Sequence, residues 1–151
     1  MVHSSGSSWQ GLCATIRAMF WQMLVLVALC GADPSGRIAF LSGTSPENQT
    51  VCVLDLATRT VMPVGPGRHD GAPVWSPRGD ALAFDAEYQG RLAIHVVRPD
   101  GSGLRVLKHE ADRNAHPRWS PDGRRLAYVS GSGPDRRIAV YDLATDRETF
   151  W

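Results

Sequence analysis

Two polar stretches hold the side chains with the most chemical reach in this 151-residue chain: Arg68-His69-Asp70 and His109-Glu110-Ala-Asp112-Arg113-Asn114-Ala-His116. Imidazole and carboxylate together suit several divalent metals. His69, Asp70, Glu110 and His116 are therefore the first residues to weigh as ligands. The plainer reading is that Asp70 and Asn114 bond their own turns, as short polar side chains do, while the histidines stay in solvent. Nothing in the pattern places these groups within bonding distance of one another, so no metal, cofactor or catalytic residue is assigned. The chain has no G-x-S-x-G elbow, no H-E-x-x-H pair and no phosphate-cradling glycine loop. His95, between Ile94 and Val96, reads as an outward or inter-strand polar residue.

The elements that carry these loops repeat. Pro73-Val-Trp75-Ser76-Pro77-Arg-Gly79-Asp-Ala-Leu82-Ala-Phe84 is answered 44 residues later by Pro117-Arg-Trp119-Ser120-Pro121-Asp122-Gly123-Arg-Arg-Leu126-Ala-Tyr128. A clipped copy, Pro34-Ser-Gly36-Arg-Ile38-Ala-Phe40, precedes them. A period in the forties marks a repeat architecture. Within the middle copy, 72–76 is expected as a short strand and Ser76-Pro77-Arg78-Gly79 as a turn, with proline pre-setting φ and glycine in the left-handed region. A second strand over 81–85 puts Leu82 and Phe84 on one face. Residues 87–91 read as a polar loop, 92–98 as a third strand and 104–107 as a fourth, after the turn Arg98-Pro99-Asp100-Gly101. The first repeat's Val51-Cys-Val53-Leu54-Asp55-Leu56-Ala-Thr58 closely matches the third repeat's Ile138 to Thr145. A four-stranded meander cannot bury both faces alone, but stacked radially each covers its neighbour. This predicts an all-β fold of about three four-stranded antiparallel blades of a β-propeller.

These residues resemble the TolB-type, WD-like β-propeller repeat, whose usual form runs D-x-x-P-x-W-S-P-D-G, an apolar triplet ending in an aromatic, then I-Y-V-x-D. Arg78 stands where that pattern has Asp, and Asn114 where it has the leading Asp. The resemblance covers residues 34–151. It implies a loop cluster at one mouth of the propeller channel, where His69, Asp70, Asn114 and His116 become candidate ligand contacts. It also implies a non-catalytic module that binds protein partners; the alternative is a piece of the propeller of a prolyl-oligopeptidase-like peptidase or a polysaccharide lyase. The blades fall at 33–66 (incomplete), 67–110 and 111–151, the last breaking off where its fourth strand begins. Three readings of so short an array stay open: a fragment, self-association that closes the ring, or an open arc that docks on a partner.

Residues 18–29 are apolar apart from Gln22, follow Arg17, and precede Gly31-Ala32-Asp33. Twelve residues suit a signal-peptide core better than a membrane span. Residues 1–32 are thus expected to be a secretory signal, with an uncleaved anchor, a lipidated Cys30 or a misplaced start as alternatives. A secreted or periplasmic location follows, with membrane contact only through that segment. With 16 Lys+Arg against 15 Asp+Glu, no basic field draws nucleic acid. Arg124-Arg125 and Arg136-Arg137 read as strand-edge charges. Cys52, flanked by Val51 and Val53, reads as a small core residue.

Overall fold

Turns divide the chain into its strands, and most turns are closed by one aspartate or serine. The computed structural model describes residues 36–151. The segment read as a signal or anchor, with Pro34, Cys13 and Cys30, lies outside the described residues. Asp55 Oδ1 accepts the Ala57 and Thr58 N–H groups, both at 2.9 Å. Asp142 Oδ1 does the same for Ala144 and Thr145, at 3.1 and 3.0 Å. In the two Ser-Pro turns the glycine N–H returns to the serine carbonyl at 2.9 Å, with Gly79 and Gly123 at φ of 70° and 71°. Their aspartates differ in place but not in task. The Ser120 hydroxyl donates to Asp122 at 2.6 Å, and the Ser76 hydroxyl to Asp80 at 2.7 Å. Asp80 thereby makes good the Arg78 that departs from the repeat pattern, and both carboxyls sit below their ordinary pKa chiefly through that serine bond.

Three antiparallel sheets result. The first runs β1 (Arg37–Ser42), β2 (Thr50–Asp55), β3 (Thr60–Pro63). The second runs β4 (Val74–Trp75), β5 (Leu82–Tyr88), β6 (Arg91–Val97), β7 (Arg105–Val106). The third runs β8 (Asn114–Trp119), β9 (Arg125–Ser130), β10 (Arg137–Asp142), β11 (Arg147–Phe150). The polar stretch 87–91 is not a loop. β5 continues through Tyr88 and β6 starts at Arg91, because Gln89 and Gly90 take φ of 53° and 76° and close a two-residue hairpin of the primed kind. β11 also pairs fully with β10, from Asp142↔Arg147 to Ala139↔Phe150, so the third sheet has its fourth strand.

The sheets stack face to face through two apolar clusters. Leu82, Phe84 and Val97 of the second sheet meet Ala39, Val51 and Val53 of the first. On its other face Ala83 and Ile94 meet Leu126, Tyr128 and Tyr141 of the third. Period-2 alternation places these sets on opposite faces of one sheet. Of the two readings of His95, the outward one is overturned and the inter-strand one holds: it is 2% exposed and stacks on Phe84 opposite it on β5, ring centroids 5.5 Å apart. Cys52 is a buried free thiol whose pKa is pushed up by burial. The tryptophans tie sheets together. Trp119 Nε1 donates to the Val74 carbonyl at 3.2 Å, and the Arg37 guanidinium lies 5.3 Å from the Trp75 ring while donating to the Gly79 carbonyl at 2.8 Å.

If the stacked faces hold the array together, Phe84→Ala should cost about 3–5 kcal/mol of unfolding free energy. Leu104→Ala, at a side chain 45% exposed, should cost under about 1 kcal/mol. Urea denaturation of the two variants checks the contrast.

Candidate functional site

The connection from the first sheet to the second spans 64–73, and that from the second to the third spans 107–113. Both must cross the end of the preceding sheet. There each sheet offers a backbone N–H that a connection side chain, not a strand, accepts: Val51 on β2 in the first sheet and its counterpart Ile94 on β6 in the second.

The first connection meets Val51 with a carboxylate. Asp70 is 2% exposed, and its Oδ2 accepts the Val51 N–H at 2.9 Å. The same carboxylate accepts the N–H groups of Gly67 and Arg68 at 3.3 and 3.2 Å. Burial raises the Asp70 pKa, and the three backbone donors pull against that rise. The carboxylate fits because residue 65 is glycine: a Cβ there would overlap Asp70 Oδ2 and stand 3.1 Å from the Val51 nitrogen.

The second connection meets Ile94 with an imidazole. His109 occupies the repeat position of Gly65, and its Nε2 accepts the Ile94 N–H at 3.1 Å. Its Nδ1 lies 3.0 Å from the Tyr128 hydroxyl and 3.5 Å from Glu148 Oε1. The Tyr128 hydroxyl donates to Glu148, and Glu148 Oε2 accepts the Glu110 N–H at 3.2 Å. The His109 and Glu148 side chains are 4% and 7% exposed. Burial lowers the His109 pKa, against the pull of Glu148, and raises that of Tyr128. Asn114, the repeat counterpart of Asp70, is displaced from the amide. Its Nδ2 donates to the carbonyls of Ala111 at 2.7 Å and Leu92 at 3.4 Å, and its buried Oδ1 has no partner among the described residues.

The four candidate contact residues therefore separate. Asp70 and Asn114 point inward and hold the connections. His69, with φ of 52°, lines a shallow groove of about 340 Å³, shared with Asp85, Glu87, Arg91 and Arg113. His116, with φ of 59°, gives its backbone N–H to Asp85 Oδ1 at 3.1 Å. Gly71 is forced here, since a Cβ would come within 2.5 Å of Asp85 Oδ2. At the rim His69 stands 3.9 Å from Glu87, and Arg91 pairs with Asp112 at 3.1 Å. These exposed pairs add little stability; they give the groove both signs of charge. Among the described residues no three His, Cys, Asp or Glu side chains converge as metal ligands. Of the repeat-motif residues, Pro73 ends the first connection just before β4, while Trp75, Ser76, Pro77 and Gly79, like Pro117, Trp119, Ser120, Pro121, Asp122 and Gly123, lie in β4 and β8 and the turns after them. Asp85 and Glu148 escaped the sequence reading; Tyr128 was legible there only as the aromatic that closes a repeat, and His109, in the stretch whose histidines are expected in solvent, has a side chain only 4% exposed. Their signal was available in the 44-residue alignment, where His109, Tyr128 and Glu148 replace Gly65, Phe84 and Leu104 together.

The family model for the TolB beta propeller domain matches residues 29–149. A TolB homolog of Chlorobium luteolum is 35% identical over 114 residues, 75% of this chain and 26% of that protein. The Tol-Pal system protein TolB of Gluconobacter oxydans is 40% identical over 73 residues, 46% of this chain and 16% of that protein. The chain thus spans about a quarter or less of the length of these curated relatives. The structure of a putative TolB from Agrobacterium tumefaciens superposes with a TM-score of 0.69 at 21% identity, over 82% of this chain and 48% of that one. An oligogalacturonate lyase in complex with manganese superposes with a TM-score of 0.57 at 22% identity, over 76% and 38% of the two chains. At such identities the structural likeness shows the fold alone.

Replacing Asp70 by alanine leaves three buried or half-buried N–H groups without an acceptor. The expected cost is at least about 2 kcal/mol. Gly65→Ala should cost a similar amount by displacing the same carboxylate. Because both act on one bond, the double variant should lose far less than the sum. Guanidinium denaturation of the two single variants and the pair measures this.

Proposed function

Because the chain belongs to the TolB β-propeller domain family, we propose that it works without catalysis, as an extracytoplasmic propeller module that binds other proteins. Export is supported by the apolar segment 18–29 behind Arg17, and a protein partner by the family. The even charge balance argues against nucleic acid.

One observation carries the binding reading. The outer faces of the first and third sheets repeat the residues that already meet inside the array. Ile38, Phe40 and Leu54 are the counterparts of Leu82, Phe84 and Val97, which are buried against the first sheet; here they are only half-buried. Ala127 and Ile138 are the counterparts of the fully buried Ala83 and Ile94, yet Ile138 is 49% exposed. The two faces are complementary in the same way as the two internal interfaces. The first occupant they fit is a further propeller blade, and a second copy of this chain supplies one. Two copies would bring six sheets together, in a head-to-tail contact that closes if the rotation allows. The mixed-charge groove beside His69 then faces a polar polypeptide partner.

A second reading, a segment from the propeller of a peptidase or lyase, is favoured by the fold shared with the oligogalacturonate lyase. Manganese-dependent cleavage of oligogalacturonate by the chain would establish it in place of the binding reading.

Light scattering after size exclusion is expected to give a discrete oligomer, with a dimer as the smallest. Ile138→Asp, which puts a charge on the third sheet's outer face, should shift it to monomer while preserving the β-type circular dichroism. A wild-type chain that stays monomeric at tens of micromolar would overturn self-docking.

A further inference from the structure

The hydrogen bonds around His109 form a chain with one direction. The Ile94 N–H can only donate, so His109 Nε2 must be the bare nitrogen of a neutral ring. The proton then sits on Nδ1, which donates to the Tyr128 oxygen, and the Tyr128 hydroxyl donates to the Glu148 carboxylate. Ile94 belongs to the second sheet, Tyr128 and Glu148 to the third. The imidazole is therefore a bridge between two sheets, and it holds only while neutral.

We propose that His109 is a pH-sensitive latch: its neutral ring joins the second sheet to the third, and its protonation lets go of the second sheet while keeping the third. A proton on Nε2 would face the Ile94 N–H donor to donor at the 3.1 Å that now separates the two nitrogens. The imidazolium also gains a reason to move, because Glu148 Oε1 is 3.5 Å from Nδ1. Tyr128 packs edge-on against the ring with centroids at 5.0 Å, and Tyr141 of β10 at 6.2 Å. His95 of β6 is the other basic group that bears on it, and disfavours a second positive charge. Glu148 is thus the facing group that welcomes the proton, and it lies wholly on the third-sheet side. The first connection carries no such device, since Gly65 leaves the Val51 N–H to Asp70. A protonated carboxyl still accepts through its carbonyl oxygen, so acid does not break that bond.

The signs are opposite at the two positions. Burial lowers the His109 pKa in the fold. An opened ring takes its proton near the ordinary value of about 6.5, while the latched ring refuses it. The latch is at full strength above that value and weakens as pH falls toward the folded pKa. Asp70 is shifted upward by burial, so its contribution rises, if anything, as pH falls.

Native-state hydrogen exchange on the whole chain, expressed as protection factors, separates the two connections. Protection of the Ile94 amide should fall about tenfold between pH 7.5 and 5.5, following uptake of one proton on opening. Protection of Val51 should not fall. His109→Gln, whose amide oxygen can meet the same N–H without titrating, should flatten the Ile94 profile. A flat wild-type profile, or an unchanged slope in His109→Gln, would overturn the latch. Should that variant fail to fold, the ring-nitrogen shifts of wild-type His109 decide. A proton on Nδ1 with a midpoint below 6.5 supports the latch; a proton on Nε2, or a midpoint at or above that value, overturns it.

Discussion

The backbone N–H of Val51, and its counterpart at Ile94, set the terms on which one sheet is joined to the next. Each lies on an inner strand, beyond the reach of the short outer strand beside it, and each is covered by the chain leaving for the next sheet. A buried amide without an acceptor costs about 1–3 kcal/mol, so the connection must bring one. It brings Asp70 in the first case and His109 in the second. The rest of each connection follows from that choice. Asp70 demands a glycine at 65 and draws in the Gly67 and Arg68 amides. His109 demands a hydroxyl at 128 and a carboxylate at 148, and turns Asn114 aside.

Two equivalent positions thus reach one end by different chemistry. An anion held by three backbone donors is a fixed joint whose strength varies little near neutral pH. An imidazole in a directed chain of hydrogen bonds is conditional on its proton. The apolar faces set the strength of each interface, being non-directional and proportional to area; the polar joints set register and, at the second interface, response. Asn114 Oδ1, a buried acceptor without a partner among the described residues, is what that change leaves over when the imidazole takes the amide.

Much of the fold was legible because the repeat wrote it out twice. Period-2 alternation at Leu82, Phe84, Ile94 and Val96 fixed the strands and their two faces, and the Ser-Pro-x-Gly turns fixed the hairpins. The Gln89-Gly90 hairpin was less visible, since Gln carries no strong left-handed preference and the flanking Glu87, Tyr88 and Arg91 look like loop. For His95 the sequence left outward and inter-strand positions both open, because a histidine between two β-branched residues reads as polar alternation; it is inter-strand, on the same face as Phe84. The site was legible only in part. Asp70 announced itself as the leading Asp of the motif and Asn114 as its replacement, and both bond within their own connections. His109 and Glu148 match no motif, Tyr128 matches it only as an aromatic, and the three lie 39 residues apart in the sequence at their extremes. They become a unit only when the sheets stack, and what marks them is their joint departure from the repeat.

The account stands or falls on which atom receives the Ile94 N–H. A trans-hydrogen-bond nitrogen–nitrogen coupling, measured on the ¹⁵N-labelled chain at neutral pH, reads that atom directly. A cross-peak between the Ile94 amide nitrogen and His109 Nε2, with none to Nδ1, is the expected result. A His109 ring that carries its proton on Nε2 and shows no coupling to Ile94 would contradict it, and would return the second connection to the carboxamide of Asn114.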